Sequence, residues 1–404
     1  MPVDSLIVLR HRGFHHDAPA PQRWSWDIIA AGLLSVMLLS LLLYHLVSGV
    51  ALAALQPVRS DLSLSLRSYP GVLVCGTCGV GSNRLAEAIT RLCSHAVYTG
   101  QLTLDQDERG RHYIYAQDED AFQDFLKVKG FVKRYVSLPV SLFSAVDSPA
   151  AKAASRFVAD HVLRGVEVAV RTEEDVDRVA AICRTLHKIH PDDISLLVKI
   201  AASIKPTAEF LRNVSTLVDK VIFETQQLRQ NTQLHSIRFA NPYMPHADAA
   251  AGDVFMRRQL SRVWSLRQQL VAQSAAATHG WCFTVSLGTI KNYVDTLYTK
   301  LVWVSGYDYT SLQEVCALLR ENKAQMNNES VSRFVKTDYV FYTFDDRDTI
   351  AQKMSRALGE FPELCVAAYD VEMDDLDGYC DAQGAEVGAP LLELLHAVAF
   401  RHPP

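Results

Sequence analysis

No run of lysine and arginine long enough to attract a polyanion occurs in the 404 residues, and the formal net charge is −5. Nucleic-acid binders carry clustered positive charge, so nucleic acid is not an expected partner. No Lys-Ser or Lys-Thr pair follows the glycines Gly76, Gly79 and Gly81. The loop CGTCGVGSN is therefore a poor candidate for a phosphate cradle. No metal site and no cofactor are expected.

The most consequential absence is local. Residues 28–55 contain no Asp, Glu, Lys or Arg, and their one group suited to charging is His45. About 20 such residues span roughly 30 Å as a helix, enough to cross the hydrocarbon layer. The core IIAAGLLSVMLLSLLLYHLV exceeds the roughly 7–15 residues of a secretory h-region. A retained transmembrane signal anchor is expected over 28–50. Small residues at 51–54 leave cleavage near Ala54, and secretion, as the alternative. The tail 1–27, with Pro19 and Pro21, reads as disordered. It carries Arg10, Arg12 and Arg23, against Arg59 and Arg67 beyond the span. That bias places the tail in the cytosol and the body in the lumen or outside the cell. Residues 51–69 read as a stalk. The sequons at Asn213 and Asn328 fit glycosylation of such a body.

The remainder is globular, with 49% hydrophobic and 21% charged residues. Short apolar runs at 71–75, 94–102, 132–143, 165–170, 194–200, 218–224, 281–287 and 364–368 read as strands buried on both faces. They alternate with helical patterns at 83–93, 118–129, 150–163, 176–188, 255–276 and 390–400. That alternation is an α/β fold with a parallel sheet. Residues 231–260 read as a long surface loop. Cys75 and Cys78 have the spacing of a redox CxxC pair, set against one disulfide partner beside a spare cysteine.

The stretch FPELCVAAYDVEMDDLDGYC ends a strand on five acids, Asp370, Glu372, Asp374, Asp375 and Asp377. Upstream lies YVFYTFDDRDTI, then a helical pattern. Phe344, Asp345, Asp346, Thr349, Ile350, Asp370, Glu372, Met373, Asp374, Asp375, Gly378 and Cys380 resemble the last βα unit of glycoside hydrolase family 18, the chitinases and chitinase-like lectins. The resemblance implies a (β/α)8 TIM barrel over 70–404 and a Cys75–Cys93 bridge. Cys316–Cys380 is expected as a second pair, with Cys183 and Cys282 as buried free thiols. The family's small domain after strand seven is expected to be short or missing.

The family's chemistry needs DxxDxDxE at strand four, where the last Glu is the acid and the Asp before it steers the substrate acetamide. Here the chain reads GVEVAVRTEE. Glu167 falls at the first Asp, Val170 at the second, Thr172 at the third and Glu174 at the acid, or Glu173 after a one-residue slip. The steering carboxylate is missing, and Glu173, Glu174 and Asp175 also suit a helix's first turn. At strand six, Phe223, Glu224, Thr225 and Gln226 replace cleft residues. The strand-eight Trp is Tyr369, which could still stack on a sugar. Tyr369, Glu224, Phe223 and Asp370 are the expected ligand contacts. The resemblance thus implies a membrane-anchored, non-catalytic protein that binds chitin-type glycans or serves as a scaffold for a protein partner. The alternative is a hydrolase of β-1,4 N-acetylglucosamine polymers using Glu174 or Glu173.

Overall fold

The computed structural model describes residues 71–143, 149–189, 194–226, 237–244, 254–273, 280–298, 301–382 and 390–400. The expected tail, span and stalk lie outside the described residues, as do 231–236 and 245–253 of the expected loop. Among the described residues no helix is long and apolar enough to cross a membrane.

The chain opens with β1 (Leu73–Thr77), α1 (Asn83–Leu92) and β2 (His95–Tyr98), followed by the hairpin of β3 (Leu102–Gln106) and β4 (His112–Ala116). Then come α2 (Glu119–Leu126), β5 (Lys133–Pro139), α3 (Pro149–Asp160), β6 (Gly165–Val170), α4 (Glu173–Ile189), β7 (Ser195–Ile200), α5 (Ala208–Ser215), β8 (Lys220–Phe223), α6 (Met256–Ala272) and β9 (Trp281–Ser286). An inserted unit follows: β10 (Thr289–Tyr298), β11 (Leu301–Thr310), α7 (Leu312–Leu319), β12 (Gln325–Asn327), β13 (Ser332–Lys336) and β14 (Val340–Phe344). The chain returns through α8 (Arg347–Glu360) to β15 (Cys365–Tyr369), and α9 (Tyr379–Ala382) and α10 (Leu391–Ala399) complete it.

Eight strands close a barrel in the order β1-β15-β9-β8-β7-β6-β5-β2, and every neighbouring pair is parallel. The reason is visible in the strands themselves. Every residue of β1, β6, β9 and β15 is buried, which a sheet with a filled interior and helices outside requires. Alternation turns Val74, Val97, Tyr135, Leu197, Ile222 and Ala367 into the interior, while their neighbours pack under the helices. The (β/α)8 barrel expected from the resemblance is therefore present.

Two expectations need correction. The domain after β9, expected to be short or missing, is present. Residues 289–344 build a five-stranded antiparallel sheet in the order β11-β10-β14-β13-β12. Its ten-residue strands β10 and β11 are nearly contiguous, so almost no chain is spent on a connection. The sheet also recruits the aromatic run of β14, which the pattern alone assigns to the last βα unit. Likewise β2 ends at Tyr98, and Leu102 begins the separate hairpin β3–β4.

Cys75–Cys93 and Cys316–Cys380 are bonded as expected, and Cys183 is free and buried. Cys282 is not a free thiol: it is bonded to Cys365. The two residues are direct partners in the β9–β15 register and point into the same interior, which sequence separation conceals. Cys78 carries no disulfide, and its thiol donates to Glu372 Oε1 at 2.9 Å.

His95 begins β2 and faces the lower barrel. Its Nδ1 lies 2.8 Å from Ser94 Oγ, and its ring stacks on Tyr135 with centroids 5.7 Å apart. Burial, reinforced by Lys133 and Lys220, pushes its pKa down to about 4. The unfolded chain therefore binds a proton that the folded one refuses between about 6.5 and that value. Stability should be full above the unfolded pKa and fall by about 3 kcal/mol as pH drops through this window. Urea titrations at several pH values would show it, and His95→Phe should lose that part of the slope. An unchanged slope would refute this origin.

Candidate functional site

The C-terminal mouth of a parallel barrel is where site residues gather. Here the strand ends bring together Ser137 of β5, Glu167 of β6, Lys199 of β7, Glu224 just after β8 and Tyr369 of β15. Glu167 is fully buried. One of its oxygens accepts from Ser137 Oγ at 2.7 Å and lies 3.2 Å from Lys199 Nζ. The other accepts from the Tyr369 hydroxyl. Lys199 Nζ is also 3.8 Å from Glu224 and 4.4 Å from the centre of the Tyr369 ring. A buried charge is tolerated only when paired and hydrogen-bonded, and this cluster satisfies that condition internally.

Burial raises the pKa of Glu224, opposed by Lys199 and reinforced by Glu167. Burial, then the Glu167 carboxylate, drives the Tyr369 phenol far above its ordinary range. Tyr369 therefore stays a neutral phenol that donates to Glu167. Both Glu167 oxygens are thus engaged by protein groups. Tyr369 is not an open platform. Lys199 lies over one face of its ring, and a Cβ at Gly76 would stand 2.4 Å from its Cδ1. The ring therefore rests directly on bare backbone and is 4% exposed.

Solved structures share this architecture. The immunomodulatory active chitinase of Trichuris suis superposes with a TM-score of 0.62 and 11% identity, over 82% of this chain and 100% of that one. The Group IV chitinase of Ostrinia furnacalis gives 0.60 and 15%, over 82% and 100%. Human YKL-39, described as a pseudo-chitinase with retained chitooligosaccharide binding properties, gives 0.58 and 12%, over 82% and 98%. The chain has the fold of the family 18 chitinases. No protein-family model matches it, and no curated protein matches it by sequence.

On this chitinase fold, the four positions matched to the strand-four motif do not converge. Only Glu167 enters the barrel. Val170 is buried in the shell under the helices, and Thr172 is exposed on the turn after β6. Glu173 and Glu174 are exposed on the first turn of α4, where Glu173 accepts from the Lys205 backbone at 3.0 Å. The turn itself is pinned by buried Asp175, which accepts from the amides of Arg171 and Thr172 at 2.9 and 3.0 Å. Phe223 is also outside the mouth: it packs on Trp281, with ring centroids 5.1 Å apart. Asp370 sits at the mouth with a left-handed φ of 59° and accepts from Ser286 Oγ.

Four of the acids that carry the resemblance, Asp345, Asp346, Asp374 and Asp375, hold the scaffold together. Asp346 caps α8 in a reciprocal box with Thr349. Asp374 accepts from the Leu391 and Leu392 amides at the start of α10, at 3.1 and 2.9 Å. Asp375 accepts from the Tyr379 and Cys380 amides at 2.8 and 2.7 Å. Asp345 receives the ammonium of fully buried Lys353 and a bond from Asn241 Nδ2 at 2.9 Å. Lys199 and Ser137 escaped the sequence reading. The signal was there for the first: Lys199 is the one charged residue in the apolar run ISLLVKI.

Proposed function

We propose that this chain is a divergent, non-catalytic member of the family 18 chitinases. It is tethered by residues 28–50, with its barrel lumenal or extracellular, and it binds N-acetylglucosamine-type glycans weakly or presents the barrel to a protein partner. The observation that carries this is the closed Glu167–Lys199–Tyr369 cluster. The carboxylate that enters the mouth is saturated by protein groups, and a lysine covers the ring that would meet a sugar. The pseudo-chitinase among the structural neighbours supports loss of turnover with binding kept.

The competing reading, hydrolysis with Glu174 or Glu173 as acid and Glu224 as its partner, draws on the raised pKa of Glu224. Against it stand the exposed helical positions of both candidate acids. Losing one electrostatic stabiliser of the developing charge costs about 10²–10³-fold. A fluorogenic chitobioside should therefore give no turnover above background with the full chain. Turnover abolished by Glu174→Gln or Glu173→Gln would establish the hydrolase instead. Chitooligosaccharide titration by calorimetry separates a weak lectin from a bare scaffold.

The tether has its own test. Arg10 and Arg12 should resist external protease in sealed vesicles, while exposed Asn213 and Asn328 accept glycan. A mature chain beginning near Leu55 would show that the segment is cleaved.

A further inference from the structure

The opposite face of the barrel holds a second feature, one that catalysis does not explain. A cavity of about 550 Å³ opens where β5 and β6 begin, lined by Lys129, Lys133, Arg134, Val162 and Arg164 among others. Two apolar side chains stand out into solvent there. Phe131 is 105% exposed and Val162 is 76% exposed. Nothing in the barrel's packing uses either one.

Val162 is also held in a conformation it resists. It follows α3 at φ 52°, in a helix stop where the Val162 amide bonds Ala159 O at 3.1 Å and the Leu163 amide bonds Val158 O at 2.9 Å. That position normally takes glycine, and a β-branched residue in it is strained. Arg134 locks the loop in place, donating to Leu126 O at 2.8 Å and Val162 O at 3.0 Å. The scaffold thus fixes an exposed apolar residue where a smaller one would be easier. Beside it, Lys129 and Lys133 are exposed. Exposed aromatic and aliphatic groups ringed by lysines suit an interface of acyl chain and phosphate.

Connectivity says which surface lies nearby. All barrel strands are parallel, so this is also the face at which the chain enters β1. From β1 to β5 is two strands, about 10 Å across the sheet. The described chain thus begins, at Gly71 just before β1, on the same face of the barrel as this cavity.

We propose that the N-terminal face of the barrel, at Phe131, Val162, Lys129 and Lys133, rests on the phospholipid surface of the membrane that holds the chain's own apolar stretch. The apolar pair enters the headgroup layer, and the lysines meet headgroup phosphates. This rests on the tether proposed above. It fixes the opposite, C-terminal mouth facing away from the bilayer.

The test uses the full chain reconstituted into phosphatidylcholine–phosphatidylglycerol vesicles whose acyl chains are brominated near the glycerol. Phe131→Trp changes a fully exposed side chain, so folding is not at stake. Its added emission, taken against the unaltered chain, should be quenched relative to unbrominated vesicles, because the inserted ring lies at the headgroup–acyl boundary. Lys129→Glu with Lys133→Glu should lower the docked-to-free ratio by at least about 25-fold, since each basic residue contributes about fivefold at an anionic surface. Unquenched emission from a chain that floats with the vesicles overturns the docked face and leaves the tether standing. Unquenched emission from a chain that does not float overturns both. Quenching untouched by the charge reversals overturns the phosphate contact.

Discussion

Replacing Lys353 by methionine should lower the unfolding free energy by about 3–5 kcal/mol. The ammonium is fully buried between Asp345 and Ser332, whose Oγ it reaches at 2.8 Å. Burial lowers the lysine pKa, and Asp345 works against that shift. Methionine fits the space but leaves Asp345 buried and charged without its partner. Thr349 Oγ1 at 3.0 Å and Asn241 Nδ2 at 2.9 Å still donate to it, yet neutral donors do not replace a cation. Denaturant titration measures the loss. Asp345→Asn added to Lys353→Met should recover part of it, because the pair then disappears together. A single-variant loss below about 1 kcal/mol would place the pair in the weak, solvent-screened class.

Lys199→Met should have an effect of similar size, with a pH signature of its own. It leaves Glu167 and Glu224 facing each other in the barrel without a cation between them. Removing one member of a buried ion cluster costs about 3–5 kcal/mol at neutral pH. In the variant Glu224, whose pKa burial already raises with Glu167 reinforcing the shift, loses the Lys199 cation that opposes it, so the folded state holds a proton that the unfolded chain releases above about 4.3. The penalty should therefore grow as pH rises through that value and shrink below it. A pH-independent loss would mean that the lysine matters only as packing. Lys199→Met also uncovers the Tyr369 ring, so calorimetry with chitooligosaccharides on the same variant asks whether the lysine holds sugar out.

The strands were legible because burial on both faces forces continuous apolar runs, and eight of these are visible in the chain. What the runs do not show is where a strand belongs. The aromatic run of β14 reads as a barrel neighbour but joins the inserted sheet. Cys282 reads as a packed thiol but meets Cys365, because register across two strands has no trace in sequence distance. The site divides the same way. Loss of the steering carboxylate at Thr172 is plain in the sequence, and so is the change to Tyr369. The fate of Tyr369 is not, since it depends on three separated residues, Gly76, Glu167 and Lys199, reaching one ring. The acids at 345, 346, 374 and 375 show the reverse problem. They match a family of enzymes while serving as caps and an ion-pair partner, so they mark the scaffold rather than its chemistry.

The closure of the barrel has a consequence for how the chain is made. β1 hydrogen-bonds to β15, the last barrel strand to leave the ribosome. Until then β1 has a partner on one side only, and its open edge must be kept from pairing with another chain. The bridge between Cys282 and Cys365 joins the same late strand to β9, so it too can form only once β15 has emerged. Premature oxidation of Cys282 with an earlier thiol, such as Cys78 or Cys183, would leave β15 without its covalent neighbour. The hazard in the life of this protein therefore falls in the interval before its last strand arrives.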